Sequence, residues 1–343
     1  MRRRPGPVRD RLVPRLSGHL ETLRPYDLAV IALTSAAGAA LASPSPDPAA
    51  QGAAIAAGSA ACAAALYAAD YLTRAEDMLA KPERPIPSGR LSTRVALSAA
   101  ALASAATIVI ACLVNVRTLL FVGAAAGSSY AYGRWLKDRG LWGDLANGFA
   151  GWSCTLLAGA CLAVSWPPAG LVMASVALGL QGTFSNLLLA VHDYPSDLRV
   201  GCRTVPVRHG PARAGALLGL LSAATYAAAA LTPLWTGRRP TTGFVVFVVG
   251  ALVLACATLT AASSRRAIAR HLLERLLLPG ALLALAGRTG AAVVFTALAA
   301  LVVAVTPRPM LEGGFESGFE AGFEARDELL PDGPLAPEMG SES

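Results

Sequence analysis

The sequence predicts an all-α integral membrane protein with nine spanning helices, and three observations carry that expectation. Of its 343 residues, 54% are hydrophobic and 15% charged, with a mean hydropathy of +0.51; a soluble globular chain carries about 25% charged residues. Nine stretches approach the roughly 20 apolar residues that a bilayer-crossing helix needs. Once the spans are drawn, 24 of the 29 Lys and Arg residues fall on one side. Cytoplasmic loops show that bias.

The elements follow in chain order. Residues 1–26 form a basic segment without an apolar core, so no cleavable signal peptide is expected. The spans then lie at 27–43, 52–69, 94–113, 119–133, 145–166, 169–192, 214–235, 243–263 and 289–306, making residues 27–306 one transmembrane domain. The fourth is short and carries Ser128 and Ser129. Acids are nearly absent from these interiors, because a charge in hydrocarbon is costly, and small residues abound, which suits close helix packing in lipid. Residues 265–288 mix charge with apolar runs. They read as an interfacial helix leading into a re-entrant or tilted start to the last span; a tenth span is the alternative. The acidic tail, 307–343, repeats Gly-Phe-Glu from Gly314, Gly318 and Gly322 and reads as disordered. The six cysteines make no metal-binding spacing. The arginines lack interleaved aromatic residues, which argues against a nucleic-acid partner. The expected setting is a multi-pass protein of the cell membrane, with its N-terminus cytoplasmic.

Two predicted cytoplasmic loops concentrate the chemistry. The first runs Asp70-Tyr71-Leu72-Thr73-Arg74-Ala75-Glu76-Asp77 and then Lys81-Pro82-Glu83-Arg84-Pro85-Ile86-Pro87-Ser88-Gly89. The second runs Asp193-Tyr194-Pro195-Ser196-Asp197, followed by Arg199, Gly201, Arg203 and Thr204. Asp70 and Asp77 are two helical turns apart and share a face. Asp193 and Asp197 share one also, unless Pro195 breaks that helix. The loops are weakly self-similar, which hints at an internal pseudo-repeat. Carboxylate pairs suit a hard divalent cation such as Mg²⁺, which commonly uses one or two carboxylates plus phosphate oxygens. Neighbouring arginines suit phosphate. Acids and arginines above greasy helices suggest a diphosphate on a lipid tail.

The first loop resembles the Asn-Asp-x-x-Asp-x-x-x-Asp motif of the UbiA superfamily of intramembrane prenyltransferases. The Arg84-Pro85-Ile86-Pro87-Ser88-Gly89 run resembles its chlorophyll synthase and archaeal geranylgeranylglyceryl phosphate branches. Asp193, Asp197, Gly201 and Thr204 are similar to its second motif; Arg24-Pro25, Tyr132 and Lys137 match family positions more weakly. Ala69 and Thr73 depart from the pattern, where Asn and the middle Asp are expected.

The resemblance implies nine helices around a central lipid-open cavity. It implies Mg²⁺-dependent transfer of a prenyl group from a polyprenyl diphosphate to an acceptor that the sequence does not identify. Asp70, Asp77, Asp193 and Asp197 would be the catalytic metal ligands, and Arg84, Lys137, Arg199 and Arg203 would bind the diphosphate. A terpene cyclase using the same site, or a non-catalytic lipid-binding relative, remain alternatives.

Overall fold

The computed structural model describes residues 9–45, 47–260, 262 and 265–306, and among these every long element is a helix. The predicted acidic tail lies outside the described residues. The basic N-terminal segment contributes a helix of its own, α1 (Arg9–Leu23). Arg24 then adopts a left-handed conformation, φ 43°, and breaks the chain direction. Pro25 opens α2 (Pro25–Ala42), where its missing N–H costs nothing.

Helix α3 (Pro48–Ala80) is capped by the Asp47 carboxylate, which accepts from the Ala49 N–H at 3.0 Å. Its 33 residues extend about 50 Å, more than the hydrocarbon thickness of about 30 Å. The surplus carries Asp70 and Asp77 beyond the apolar part of the helix. Next come α4 (Thr93–Val114) and α5 (Thr118–Ala131), the latter continued by a π-helical turn, Tyr132–Leu136. Then α6 (Leu141–Asp144) passes through a second π-helical turn, Leu145–Ala150, into α7 (Gly151–Cys161). Helix α8 (Val172–His192) leads into the short α9 (Tyr194–Val200). Pro195 sits in the first turn of α9, so it starts that helix rather than breaking it; Asp197 N–H still donates to the Asp193 carbonyl at 2.9 Å. The remainder is α10 (Val205–His209), α11 (Pro211–Thr236), α12 (Thr242–Leu259), α13 (Arg265–Leu285) and α14 (Thr289–Val305).

Each of the nine predicted stretches is helical over most of its length. Among the described residues, six helices are long and apolar enough to cross a bilayer by themselves, and α14 is a shorter apolar helix. Burial sorts them: 72% of the α8 span is covered by neighbours against 17% of the α4 span. Helix α8 is therefore a core helix. Helices α4, α12 and α14 present Leu102, Leu113, Val246, Val253 and Leu298 outward. In water such a surface would be a liability; in lipid it is solvated.

The structure corrects the expectation for residues 265–288. Helix α13 is continuous and lies inside the bundle, with Leu276, Leu278, Ala281, Leu282 and Ala284 fully buried against α2, α8, α12 and α14. Its charges misled the reading because most of their partners are on other helices. Helices α2 and α7 also pack closely: Gly38 abuts the Leu156 carbonyl and Gly159 abuts that of Ser35, and neither site has room for a Cβ. Backbones approach this closely only where the side chain is absent.

Candidate functional site

Both acidic loops lie at one end of the bundle. In the first, Asp70 and Asp77 are each 6% exposed. Asp70 Oδ2 accepts from the Thr22 hydroxyl at 2.9 Å, and Oδ1 accepts from Arg24 Nη2 at 3.3 Å. Asp77 takes Arg84 Nη1 on both oxygens, at 2.8 and 2.9 Å. The Thr73 hydroxyl lies 2.9 Å from Asp77 Oδ2, so Thr73 occupies the face that the motif assigns to a third acid. Arg90 ties the loop back to α1 through Glu21 at 2.6 Å. Gly89, at φ 75°, closes the turn in a conformation that glycine adopts without strain.

In the second loop Asp197 is 9% exposed and accepts from the Thr204 hydroxyl at 3.0 Å. Burial pushes the carboxyl of Asp197 above its ordinary range, against the pull of that hydrogen bond. Asp193 is pushed up by burial too, opposed by the charges of Lys81, Arg84 and Lys137. Lys81 is pushed down by burial and held up by Asp193 and Asp77. Lys81 and Arg84 of the first loop therefore lie within electrostatic reach of Asp193 in the second, more than a hundred residues along the chain.

Of the predicted phosphate-binding residues, Arg84 sits on Asp77, and Lys137 lies within electrostatic reach of Asp193 and Asp197. Arg203 lines a cavity of about 590 Å³ with Arg139, Trp142 and Arg208. Arg199 belongs to α9, but its side chain lies outside the described residues.

Among the described residues, no three His, Cys, Asp or Glu side chains stand close enough to enclose a metal ion. Among the described residues the four acids therefore do not form one cage. The donors are nonetheless all oxygen. That fits a hard divalent cation bound by one or two carboxylates, its other ligands coming from a phosphorylated substrate. A soft or tetrahedral metal would call for Cys or His donors.

Sequence reasoning missed three features. Thr22 joins Arg24, which the family resemblance had marked, in holding Asp70 from 46 or more positions away, and no local signal marks Thr22. Asp144, at the foot of α6, is 5% exposed, and burial raises its carboxyl to about 7; Tyr132 feels the charge of Asp144 together with Asp197 and Asp193. The third lies deeper. On α13, Glu274 accepts from Tyr226 Oη at 2.5 Å and Gln181 Nε2 at 3.1 Å, and it pairs with His271 Nδ1 at 2.5 Å. Ser185 closes the chain on His271 Nε2 at 2.7 Å. Next to it, Arg275 Nη2 donates to Asp27 Oδ1 at 2.7 Å and its guanidinium lies over Trp152. The signal available was ionisable residues inside an apolar run.

Comparison with known proteins agrees with this geometry. The profile of the UbiA prenyltransferase family matches residues 31–278, from early in α2 to midway through α13, leaving α14 beyond it. Digeranylgeranylglyceryl phosphate synthase of Korarchaeum cryptofilum is 37% identical over 156 residues, covering 46% of this chain and 55% of that protein. The chain thus spans about half the length of that relative. The synthase of Methanopyrus kandleri is 29% identical over 219 residues, covering 64% and 78%. Two solved structures share the fold. A UbiA homologue from Aeropyrum pernix K1 gives a TM-score of 0.65 at 20% identity, over 78% of this chain and 96% of that one. A UbiA homologue from Archaeoglobus fulgidus bound to GPP and Mg²⁺ gives 0.57 at 18% identity, over 84% and 100%. With its paired acidic loops at one end of a helical bundle and a family match from 31 to 278, the chain belongs to the UbiA prenyltransferase family.

Proposed function

We propose that this protein transfers a prenyl group from a prenyl diphosphate to a hydroxyl of a glycerophosphate-type lipid, within the membrane and with Mg²⁺. The observation that carries the reading is the pairing of the two loops: buried carboxylates on each, with Lys81 and Arg84 between them. The relatives named as digeranylgeranylglyceryl phosphate synthases suggest the acceptor class, and the Archaeoglobus fulgidus homologue bound to GPP and Mg²⁺ suggests donor and metal.

Asp70 with Asp77, and Asp193 with Asp197, would hold Mg²⁺. When bound, the metal neutralises charge developing on the departing diphosphate. Arg84, Lys137 and Arg199 supply further cationic stabilisation of that charge. The bond from prenyl C1 to the diphosphate oxygen breaks, and its electron pair leaves with the diphosphate. The acceptor oxygen forms a new bond to C1, and its proton passes to a base or to water. Apolar walls keep water from intercepting the cationic carbon.

The test is diphosphate release from protein in vesicles given geranylgeranyl diphosphate, with and without geranylgeranylglyceryl phosphate. Release that requires both, with a doubly prenylated glycerol phosphate as product, is expected. A cyclic product from the donor alone would point to a cyclase. Absence of release with any acceptor would leave a lipid-binding protein.

The orientation belongs to the same reading: N-terminus and acidic loops cytoplasmic. We count α13 as a tenth crossing in place of nine, since its 21 residues extend about 31 Å and short turns join it to α12 and α14. Both chain ends then share a side; of the 29 basic residues, 21 become cytoplasmic, four lie within α13 and four lie outside. A single cysteine at the exposed Arg288, in a Cys-less background, should be labelled from outside the cell, and one at Ser88 only from within. Labelling of both from one side would refute the tenth crossing.

A further inference from the structure

We propose that the cavity lined by Arg139, Trp142, Arg203 and Arg208 binds the phosphate monoester of the acceptor, at a place distinct from the acids assigned to the donor. This deepens the function proposed above and rests on it. The cavity measures about 590 Å³, and among the described residues it is lined by three arginines and Trp142. That size falls within the roughly 300–1,000 Å³ typical of small-molecule sites, and three guanidinium groups match a dianionic phosphate through paired hydrogen bonds. The arginines come from three places along the chain: the 3₁₀ turn Lys137–Arg139, the segment before α10, and α10 itself.

The fold ties these parts together and to the acids. Gly140, at φ 60°, brings the corner between Arg139 and Trp142 within contact of Val205 and the Arg208 stem; its Cβ position lies 3.6 Å from Val205 Cγ2 and 3.8 Å from Arg208 Cδ. Thr204, next to Arg203, donates to Asp197 at 3.0 Å, and Arg208 N–H donates to the Thr204 carbonyl at 3.0 Å. A phosphate in the pocket is thus one short, hydrogen-bonded segment from Asp197. On a glycerol phosphate the hydroxyl to be alkylated lies within a few bonds of the phosphate, which matches that proximity. Trp142 is 75% exposed beside the arginines, the arrangement of an aromatic ring at the membrane–water boundary, and it supplies a surface for the glycerol and the start of the tail.

A bilayer phospholipid offers the same phosphate chemistry, so the test separates the two sources. The full chain and its Arg139→Gln/Arg208→Gln variant are placed in phosphatidylcholine vesicles, with and without added anionic lipid. KM is measured for donor and acceptor, and binding of a radiolabelled glycerol phosphate ether lipid is measured without donor. The variant should raise the acceptor KM and weaken binding by about tenfold or more, the worth of one charge-assisted hydrogen bond, while the donor KM stays within about twofold. Removing the phosphate from the ether lipid should weaken its binding to the wild type by a similar factor and leave the variant unaffected. A donor KM that rises as much would assign the pocket to the donor diphosphate and overturn the proposal. So would an unchanged acceptor KM with a lost response to anionic lipid, which would mark a site for bulk lipid. The binding arm needs no turnover: if the wild type binds the phosphorylated lipid and the variant does not, yet no prenyl transfer occurs, the assigned function fails and the pocket stands.

Discussion

Asp70→Asn and Asp193→Asn should each lower the rate of diphosphate release by roughly 10² to 10³, the loss expected when one preorganised electrostatic group is removed from a transition state. The change is small in shape. An asparagine amide at this position keeps an oxygen to accept from Thr22, which holds Asp70 at 2.9 Å, so the fold should survive and far-UV circular dichroism should match the wild type. Chelation by EDTA should reproduce the loss in the wild type, and added Mg²⁺ should reverse it. A quantitative contrast sharpens the test. Glu83, half-buried in the same loop but outside the motif, should tolerate Gln with less than about a twofold change, as surface substitutions usually do. Wild-type turnover that persists without divalent metal would refute the metal assignment. An Asp70→Asn enzyme that keeps half its rate would remove Asp70 from the site.

The largest stability effect should come from Glu274→Ala. Glu274 and His271 are each 2% exposed, and the substitution strips a partner from Tyr226, Gln181 and His271 at once. Individual hydrogen bonds between helices in a membrane average only about 0.6 kcal/mol, so three of them alone would amount to about 2 kcal/mol. Leaving polar groups buried without partners adds to this, and breaking a buried ionic network costs about 3–5 kcal/mol in soluble proteins. We therefore expect about 2–4 kcal/mol, read as a shift in the unfolding midpoint in mixed micelles. Tyr226→Phe removes one donor and should cost about 1 kcal/mol. The double variant Tyr226→Phe/Glu274→Ala should be less destabilised than the sum, because both changes act on one network. If Glu274→Ala unfolds with the wild-type midpoint, the network does not hold α13 in the bundle.

The two regions differ in how far the sequence disclosed them. The acid loops were legible because their spacing is local: Asp70 and Asp77, and Asp193 and Asp197, lie within two turns of one another, and helix geometry alone puts each pair on one face. Thr73 was placed correctly for the same reason, and its hydroxyl meets Asp77. Proline at 195 was the weak point of that reading, and its place in a first helical turn resolves it. The network on α13 was not legible. His271, Glu274 and Arg275 looked like a reason to keep the segment out of the bilayer, since a charge in hydrocarbon is expensive. Taken singly each would be, but each has a partner: Gln181 and Ser185 lie 93 and 86 positions from theirs, and Asp27 lies 248 positions from Arg275.

By itself, then, the sequence determined which stretches are helical, which helices bear the acids, and which family motif they form. These depend on hydropathy over about 20 residues and on the period of about 3.6 residues, both short-range properties of the chain. Only the tertiary structure decided that α13 is a core helix, that Thr22 and Arg24 hold Asp70, and that Arg203 shares a cavity with Arg139 and Arg208. Each of these depends on which distant side chain satisfies a buried charge or shapes a pocket. A polar group is cheap to bury only after its partner has been brought to it, and it is the packing of the helices that brings it.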